Sequence, residues 1–242
     1  MTATRGFDEL LTKVIAALGL IISGNQKEKL LNYIQLILEG LKKQRLVGER
    51  SGAALIEKHL YDSLYPLTTW QIPRGSLLDL GTGVGLPGIP MKICLPEQAL
   101  YLLDANKKKI NFLRKVALEL ALQEVFFLPG RAEEWGRDPG CREQFDCVVS
   151  RAVARAAVLV ELGLPLVKMG GFLLLYKGKQ GPSEIKEAGP ALQLCGGRLE
   201  KSWHYRIPTG EERTLFLIKK IGPTPAAYPR RSGVPQRKPL GS

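Results

Sequence analysis

Histidine is scarce in this chain of 242 residues: His59 and His204 are the only two. Cysteine is nearly as sparse, and Cys94, Cys141, Cys147 and Cys195 form no C-x-x-C pair. Zinc sites draw on clustered thiolates and imidazoles, so a metal enzyme and a disulfide framework are both disfavoured. No apolar run is long enough to span a bilayer, and the N-terminus lacks the charged, apolar and small-residue regions of a signal peptide. The expectation is a chain in the reducing cytoplasm, with no membrane and no metal partner. The last twenty residues lack acid altogether, yet contain Arg230, Arg231, Arg237 and Lys238.

The rest is ordinary for a globular protein, with 45% hydrophobic and 24% charged residues. The charge balance is not ordinary: 35 basic against 23 acidic residues give a formal net charge of +12. An excess of that size favours a polyanionic partner such as nucleic acid.

The chain changes texture near residue 72. Before it, residues 7–19 and 25–46 carry helical apolar periodicity, with Leu30, Leu31, Ile34, Ile37, Leu38 and Leu41 on one stripe and Asn25 as the expected N-cap. A third helix is predicted over about 53–67. From residue 73 to 222, short apolar runs alternate with helical stretches, the pattern of a parallel sheet with crossover helices. Strands are predicted at 77–80, 99–103, 125–128, 145–150 and 172–176. Two more, 199–207 and 214–220, turn through Pro208-Thr-Gly210-Glu and close the sheet antiparallel. This is a Rossmann-like α/β fold with an N-terminal helical extension (1–72) and a basic, proline-rich tail (223–242) expected to form no regular element.

Residues 78–90 are the most informative stretch: Leu-Asp-Leu-Gly-Thr-Gly-Val-Gly-Leu-Pro-Gly-Ile-Pro. A glycine-rich turn after a buried strand lets a ligand approach the backbone, because no Cβ intervenes. Gly83-x-Gly85-x-x-Gly88, with Asp104 nineteen residues past Gly85, fits a dinucleotide site. Asp79-x-Gly81-x-Gly83-x-Gly85 fits an S-adenosylmethionine site. Pro87 and Pro90 remove N–H donors that a pyrophosphate would need at a helix N-terminus, which tells against the dinucleotide. A turn that binds nothing is the third reading, and three alternating glycines make it the weakest.

Ligands of such folds sit at the carboxyl ends of the strands. Asp104, ending the second strand, is placed to accept both hydroxyls of a ribose; the plain alternative is an N-cap for the helix at 106–120. Ala132 and Glu133, after the third strand, fall where an adenine edge would lie, although Glu133-Glu134 also reads as a solvated acidic turn. Arg151 interrupts the apolar run Val148, Val149, Ala152, Val153, and needs either a ligand or a buried partner, Asp79 or Glu133. Lys177 ends the fifth strand as a further cation on the same rim, or as a strand-end lysine in solvent. His59 and Asp62 share a helical face, and a structural pair packing the extension onto the sheet is the favoured reading.

Taken together, residues 78–90, Leu-Leu-Asp104, Lys109-Ile-x-Phe-Leu-Arg114, Lys58-His-Leu-x-Asp-Ser-Leu64, Arg131-Ala-Glu-Glu, Phe145-Asp-x-Val-x-Ser-Arg-Ala152 and Lys177-Gly resemble the bacterial 16S ribosomal RNA guanine-N7 methyltransferases, also called glucose-inhibited division protein B. The resemblance runs from about residue 25 to the end, including Tyr228-Pro-Arg-Arg-x-Gly-x-Pro-x-Arg-x-Pro-Leu240. It implies a class I (Rossmann-like) methyltransferase using S-adenosylmethionine on a guanine in the 530 loop, with 16S rRNA or the 30S subunit as partner. The implied cofactor contacts are Gly81, Leu86, Ala132, Glu133 and Arg151, which join Asp79, Gly83, Gly85 and Asp104 from the glycine pattern. One departure stands out: the family's Trp-Asn-x-x-x-Asn-Leu-Thr is replaced around Lys42–Gly48.

The chemistry agrees with what the chain lacks. Guanine N7 has an in-plane lone pair, so methylating it demands no general base, and none is assigned. Lys177, Arg230, Arg231, Arg237 and Lys238 are the expected RNA contacts, with Lys107, Lys108, Lys109, Arg114 and Lys115 as further phosphate candidates. The competing readings are an NAD(P)-dependent oxidoreductase and a non-catalytic RNA-binding protein that keeps the fold.

Overall fold

The structure is a computed structural model that describes residues 2–43, 51–151 and 154–241. Of the departing stretch Lys42–Gly48, residues 44–48 lie outside the described residues, as does Ala152.

The extension holds α1 (Thr2–Leu18), α2 (Gly24–Lys43), α3 (Gly52–Ala54), a π-helical stretch (Leu55–Leu60), α4 (Tyr61–Leu64) and α5 (Pro66–Thr69). The start of α2 is set by Ser23, not by Asn25. The Ser23 hydroxyl accepts from the Gln26 N–H at 3.2 Å, and the Gln26 carboxamide accepts from the Ser23 N–H at 2.8 Å. That reciprocal pair satisfies two donors at once, which the Asn25 side chain alone would not do.

The rest alternates as β1 (Ser76–Leu80), α6 (Gly88–Cys94), β2 (Ala99–Asp104), α7 (Lys107–Glu119), β3 (Val125–Pro129), α8 (Ala132–Trp135), β4 (Phe145–Arg151), α9 (Ala156–Gly163) and β5 (Val167–Lys177). Then come α10 (Gly181–Glu187), α11 (Gly189–Leu194), β6 (Gly197–Arg206), β7 (Glu212–Lys220) and α12 (Val234–Arg237). The described residues form one seven-stranded sheet in the order β3-β2-β1-β4-β5-β7-β6. β1 to β5 run parallel, and β6 and β7 pair antiparallel as expected, with β7 inserted between β5 and β6. The order reverses between β1 and β4, which opens a crevice at their carboxyl ends.

Two apolar layers flank the sheet. On one face Leu11, Leu30, Ile34 and Leu64 of the extension share a cluster with Leu77, Ile89, Leu113 and Val149, so the extension and the sheet have a common core. On the other face α9 and α11 pack over Leu78, Val148 and Leu173.

The tail departs from expectation. Instead of remaining irregular it includes the single turn α12 and returns across the α8–α9 face. Arg142 explains this path: its guanidinium donates to the carbonyls of Gly136, Thr224, Pro225 and Tyr228, and Arg137 Nε donates to the Pro229 carbonyl at 2.8 Å. Backbone carbonyls of the tail thus find donors among side chains of the 136–142 loop.

Candidate functional site

At the switch point lies a cavity of about 460 Å³, within the size range of small-molecule sites. Its walls include Gly81, Gly83, Leu86, Asp104, Ala132, Glu133 and Arg151, seven of the nine residues expected to hold a cofactor. Leu80, Leu103, Leu159 and Leu162 supply apolar surface between them.

The other two residues of that set, Asp79 and Gly85, do not line the cavity. Asp79 is fully buried beneath the turn. Its Oδ2 accepts from the Thr82 hydroxyl at 2.7 Å and from the Gly88 N–H at 2.8 Å, while Oδ1 has no hydrogen-bond partner. Burial pushes its pKa up to about 6, against the two hydrogen bonds and Arg151, which pull it down. Asp79 therefore shapes the loop from below rather than touching a ligand. Gly88 permits this: a Cβ there would stand 2.7 Å from Asp79 Oδ2. Gly85, at φ +104°, faces Ile89, Leu113 and the Tyr33 hydroxyl, so it serves packing against the extension.

Gly83 does open to the ligand side. It sits at φ +63° and lines the cavity, and a Cβ on it would meet no protein atom within 4 Å. The missing side chain leaves a cradle free. Its N–H donates to Asp104 Oδ2 at 2.9 Å, and Asp104 Oδ1 accepts from the Asn106 N–H at 2.8 Å. Each carboxylate oxygen keeps a lone pair for a further donor. The helix-cap alternative for Asp104 fails, because Asn106 caps α7, accepting from the N–H groups of Lys108 and Lys109.

The dinucleotide reading fails on donor availability. In the first turn of α6 the Gly88 N–H goes to Asp79, the Ile89 N–H goes to the Gly85 carbonyl at 2.7 Å, and Pro90 has none. That helix start has no N–H left for a pyrophosphate.

Arg151, at the end of β4, meets neither Asp79 nor Glu133 in an ion pair. Its NH1 donates to Asp62 Oδ2 at 3.3 Å, the His59 carbonyl at 3.1 Å and the Ser63 hydroxyl at 3.4 Å. Asp62 is almost wholly buried and also takes the Tyr205 hydroxyl on Oδ1, with Arg213 Nε at 3.9 Å from Oδ2. Burial and the Asp62 charge raise the Tyr205 pKa. Asp62 thus links the extension, β4 and the β6–β7 hairpin, while His59 itself lines the cavity.

Two cations expected to contact RNA are engaged by acids of the fold. Lys177 is nearly buried, donating to the Ala154 carbonyl at 2.6 Å and pairing with Glu184 at 2.6 Å. Arg230 makes a fork on the fully buried Glu161, through Nε at 2.9 Å and NH2 at 2.6 Å. Both charges are neutralised within the fold. Arg231, Arg237 and Lys238 remain exposed, as do Lys107, Lys108, Arg114 and Lys115 on α7.

Sequence reasoning missed Tyr33 and Gln236, and read Lys109 as a phosphate contact rather than a cavity residue. The Tyr33 hydroxyl donates to the Val84 carbonyl at 3.0 Å, and nothing in its spacing distinguished it from the apolar stripe around it. Lys109 and Gln236 line the cavity from α7 and α12. Among the described residues no cluster of three or more His, Cys, Asp or Glu could hold a metal, and no helix is long and apolar enough to cross a membrane.

Sheet order, glycine turn and cavity define a class I, S-adenosylmethionine-dependent methyltransferase fold. An S-adenosylmethionine-dependent methyltransferase from Aquifex aeolicus shares this fold at 18% identity and a TM-score of 0.53, covering 75% of this chain and 97% of that one. The fibrillarin pre-rRNA processing protein of Methanococcus jannaschii shares it at 13% identity and 0.51, covering 69% and 76%. A family profile described as rRNA small subunit methyltransferase G matches residues 26–211. Proteins named ribosomal RNA small subunit methyltransferase G are 43% identical in Lachnoclostridium phytofermentans (93% of this chain, 94% of the relative) and 39% identical in Streptococcus pneumoniae (96% and 99%). The chain belongs to the rRNA small subunit methyltransferase G family.

Proposed function

We propose that the chain methylates N7 of a guanine in the 530 loop of 16S ribosomal RNA, on naked RNA or the 30S subunit. Family membership supports ribosomal RNA as substrate class, and the observation that carries the cofactor assignment is the cavity over Gly83, whose open cradle and flanking Asp104 suit an adenosine but whose helix start offers no pyrophosphate site. The donor set fits. Asp104 would take the ribose hydroxyls, the residues around Ala132 and Glu133 the adenine, and Leu80, Leu103 and Leu162 the apolar ring faces.

S-adenosylmethionine supplies an electrophilic methyl group on a sulfonium. The chain's own task is placement, holding N7 in line with the methyl–sulfur bond at roughly 3 Å. The base gains positive charge as the methyl arrives, so carbonyl and carboxylate oxygens near the mouth stabilise it and cations do not. Arg151, fixed by Asp62 and the His59 carbonyl, is thereby assigned to the cofactor carboxylate rather than to the base. Arg231, Arg237, Lys238 and the exposed cations of α7 are assigned to RNA phosphates.

Incubating the protein with tritium-labelled S-adenosylmethionine and unmethylated 30S subunits or 16S RNA, then mapping the labelled nucleotide, tests this. One labelled guanine in the 530 loop, labile as N7-methylguanine, is expected. Label at another base overturns the site. No transfer to either substrate overturns the activity and leaves the non-catalytic RNA binder.

A further inference from the structure

The match to the family profile stops at residue 211, yet the chain beyond β7 reaches the cavity. Glu133 is buried to 3% exposure and lines the cavity. Its Oε1 accepts from the Gly233 N–H at 2.8 Å, across a sequence separation of 100 residues. Three residues on, Gln236 lines the same cavity from α12.

This placement is built, not incidental. Arg142 and Arg137 hold the carbonyls of Thr224, Pro225, Tyr228 and Pro229. Gly136 lets the Pro229 ring approach, since a Cβ there would stand 2.9 Å from it. Arg230 then locks onto buried Glu161 with both side chain and backbone N–H. Gly233 turns at φ +80°, a left-handed conformation that glycine adopts without strain, and delivers its N–H to Glu133.

The consequence lies in how Glu133 is used. A buried carboxylate with one oxygen held by a backbone N–H has the other fixed in direction, ready for a second donor. Gln236 adds a carboxamide, donor and acceptor together, at the exposed edge of the same wall.

Resting on the reading of this cavity as the cofactor site, we infer that the C-terminal segment is part of that site. Gly233 sets the Glu133 carboxylate toward the exocyclic amine of the adenine, and Gln236 is a cofactor-contacting residue that closes the adenine edge. Cofactor binding and tail docking then reinforce one another, because both require the same orientation of Glu133.

The test uses the full chain and S-adenosylhomocysteine, without RNA. Gln236→Ala is a change at an exposed position, so the ligand-free melting temperature should stay put while calorimetric affinity for S-adenosylhomocysteine falls roughly three- to ten-fold, the range of one hydrogen bond removed. In the unmutated chain, saturating S-adenosylhomocysteine should slow tryptic cleavage after Arg231 and Arg237. Unchanged affinity in Gln236→Ala, or unchanged cleavage rates at both bonds, overturns the inference while leaving the cofactor site in place. Failure of the unmutated chain to bind S-adenosylhomocysteine at all removes the site reading itself, and the inference with it.

Discussion

Tyr33 donates its hydroxyl to the carbonyl of Val84 at 3.0 Å, joining the second helix of the extension to the middle of the glycine turn. Both residues are almost completely buried. The extension is thereby a support for the turn, since the Gly85 backbone has no side chain of its own to pack there and rests against Tyr33, Ile89 and Leu113. Burial also holds the Tyr33 pKa well above its ordinary value, so it remains a donor throughout the working pH range. Tyr33→Phe removes the donor and leaves a buried carbonyl unsatisfied, costing about 1–3 kcal/mol, or roughly 2–10 °C in melting temperature. Affinity for S-adenosylhomocysteine should weaken in parallel, because the turn loses its fixed backing. A variant that melts and binds as the parent does would show that the bond supports nothing.

Asp62 makes a different kind of link. Its carboxylate answers Arg151 on the sheet and Arg213 and Tyr205 on the hairpin, all from a site with 6% side-chain exposure. Asp62→Ala strips the Arg151 guanidinium, itself only 10% exposed, of its ion-pair partner. Breaking a buried pair from one side costs about 3–5 kcal/mol, a drop of order 10 °C in a chain of this length. Asp62→Leu combined with Arg151→Met should be less damaging than the sum of the single changes by at least about 1 kcal/mol. Strict additivity in urea titrations would mean that the two residues do not act as a pair.

These two links mark where the sequence stops being readable. The strands stood out because their apolar runs are bounded by glycine, proline or acid, and the cavity residues stood out because they end those strands. Gly81, Gly83, Asp104, Ala132, Glu133 and Arg151 all fell at the expected rim. Long-range partners left no such mark. Arg151 with Asp62 spans 89 residues and Glu133 with Gly233 spans 100, and no local spacing encodes either. Lys177 and Arg230 read as surface cations for the same reason, since Glu184 and Glu161 lie on other elements. The tail's proline content suggested irregularity, but the donors that order it belong to Arg137 and Arg142.

Asp79 makes stability depend on pH in an unusual direction. The folded carboxyl keeps its proton up to about pH 6, whereas an unfolded aspartate releases it near its ordinary value of 3.8. Between those values the folded chain binds more protons than the unfolded one, so this group's contribution falls as pH rises. The difference amounts to about 3 kcal/mol across the window. Asp146 and Glu143 work the other way: burial opposes ionisation, but Lys168 and Ser76 for the first, and Thr224 and Lys220 for the second, hold their pKa values down, so their stabilisation is lost on acidification. Subtracting Asp79→Asn from the parent isolates the single group. Melting curves between pH 4 and 7 should show the parent losing ground to Asp79→Asn as pH rises, and parallel curves would refute the raised pKa.

Gly88 is fixed by the same carboxylate. Gly88→Ala forces a methyl to within 2.7 Å of Asp79 Oδ2, 2.9 Å of Asp79 Cβ and 3.1 Å of Leu102, and both of those side chains are fully buried. Overpacking of this kind costs typically 1–3 kcal/mol, and here it also pushes apart the turn and α6. Cofactor affinity and melting temperature should fall together. A variant with intact affinity but lowered stability would place Gly88 in packing alone.

Salt dependence separates the cations left facing solvent from those bound inside the fold. Changing Arg231, Arg237 and Lys238 together to Gln removes three exposed charges, and every phosphate deprived of its cation should shallow the slope of log affinity against log salt by about 0.7–0.9. Removing all three predicts a change of roughly 2–3 in filter-binding titrations with 16S RNA. Lys177→Met, by contrast, breaks a nearly buried pair with Glu184, so it should lower the melting temperature and leave the salt slope alone. The triple variant must be read with S-adenosylhomocysteine titrated alongside, because the segment that carries its charges also carries Gln236 to the cavity. An unaltered slope in the triple variant would remove the tail from the RNA interface, and a shallower slope in Lys177→Met would return that lysine to it.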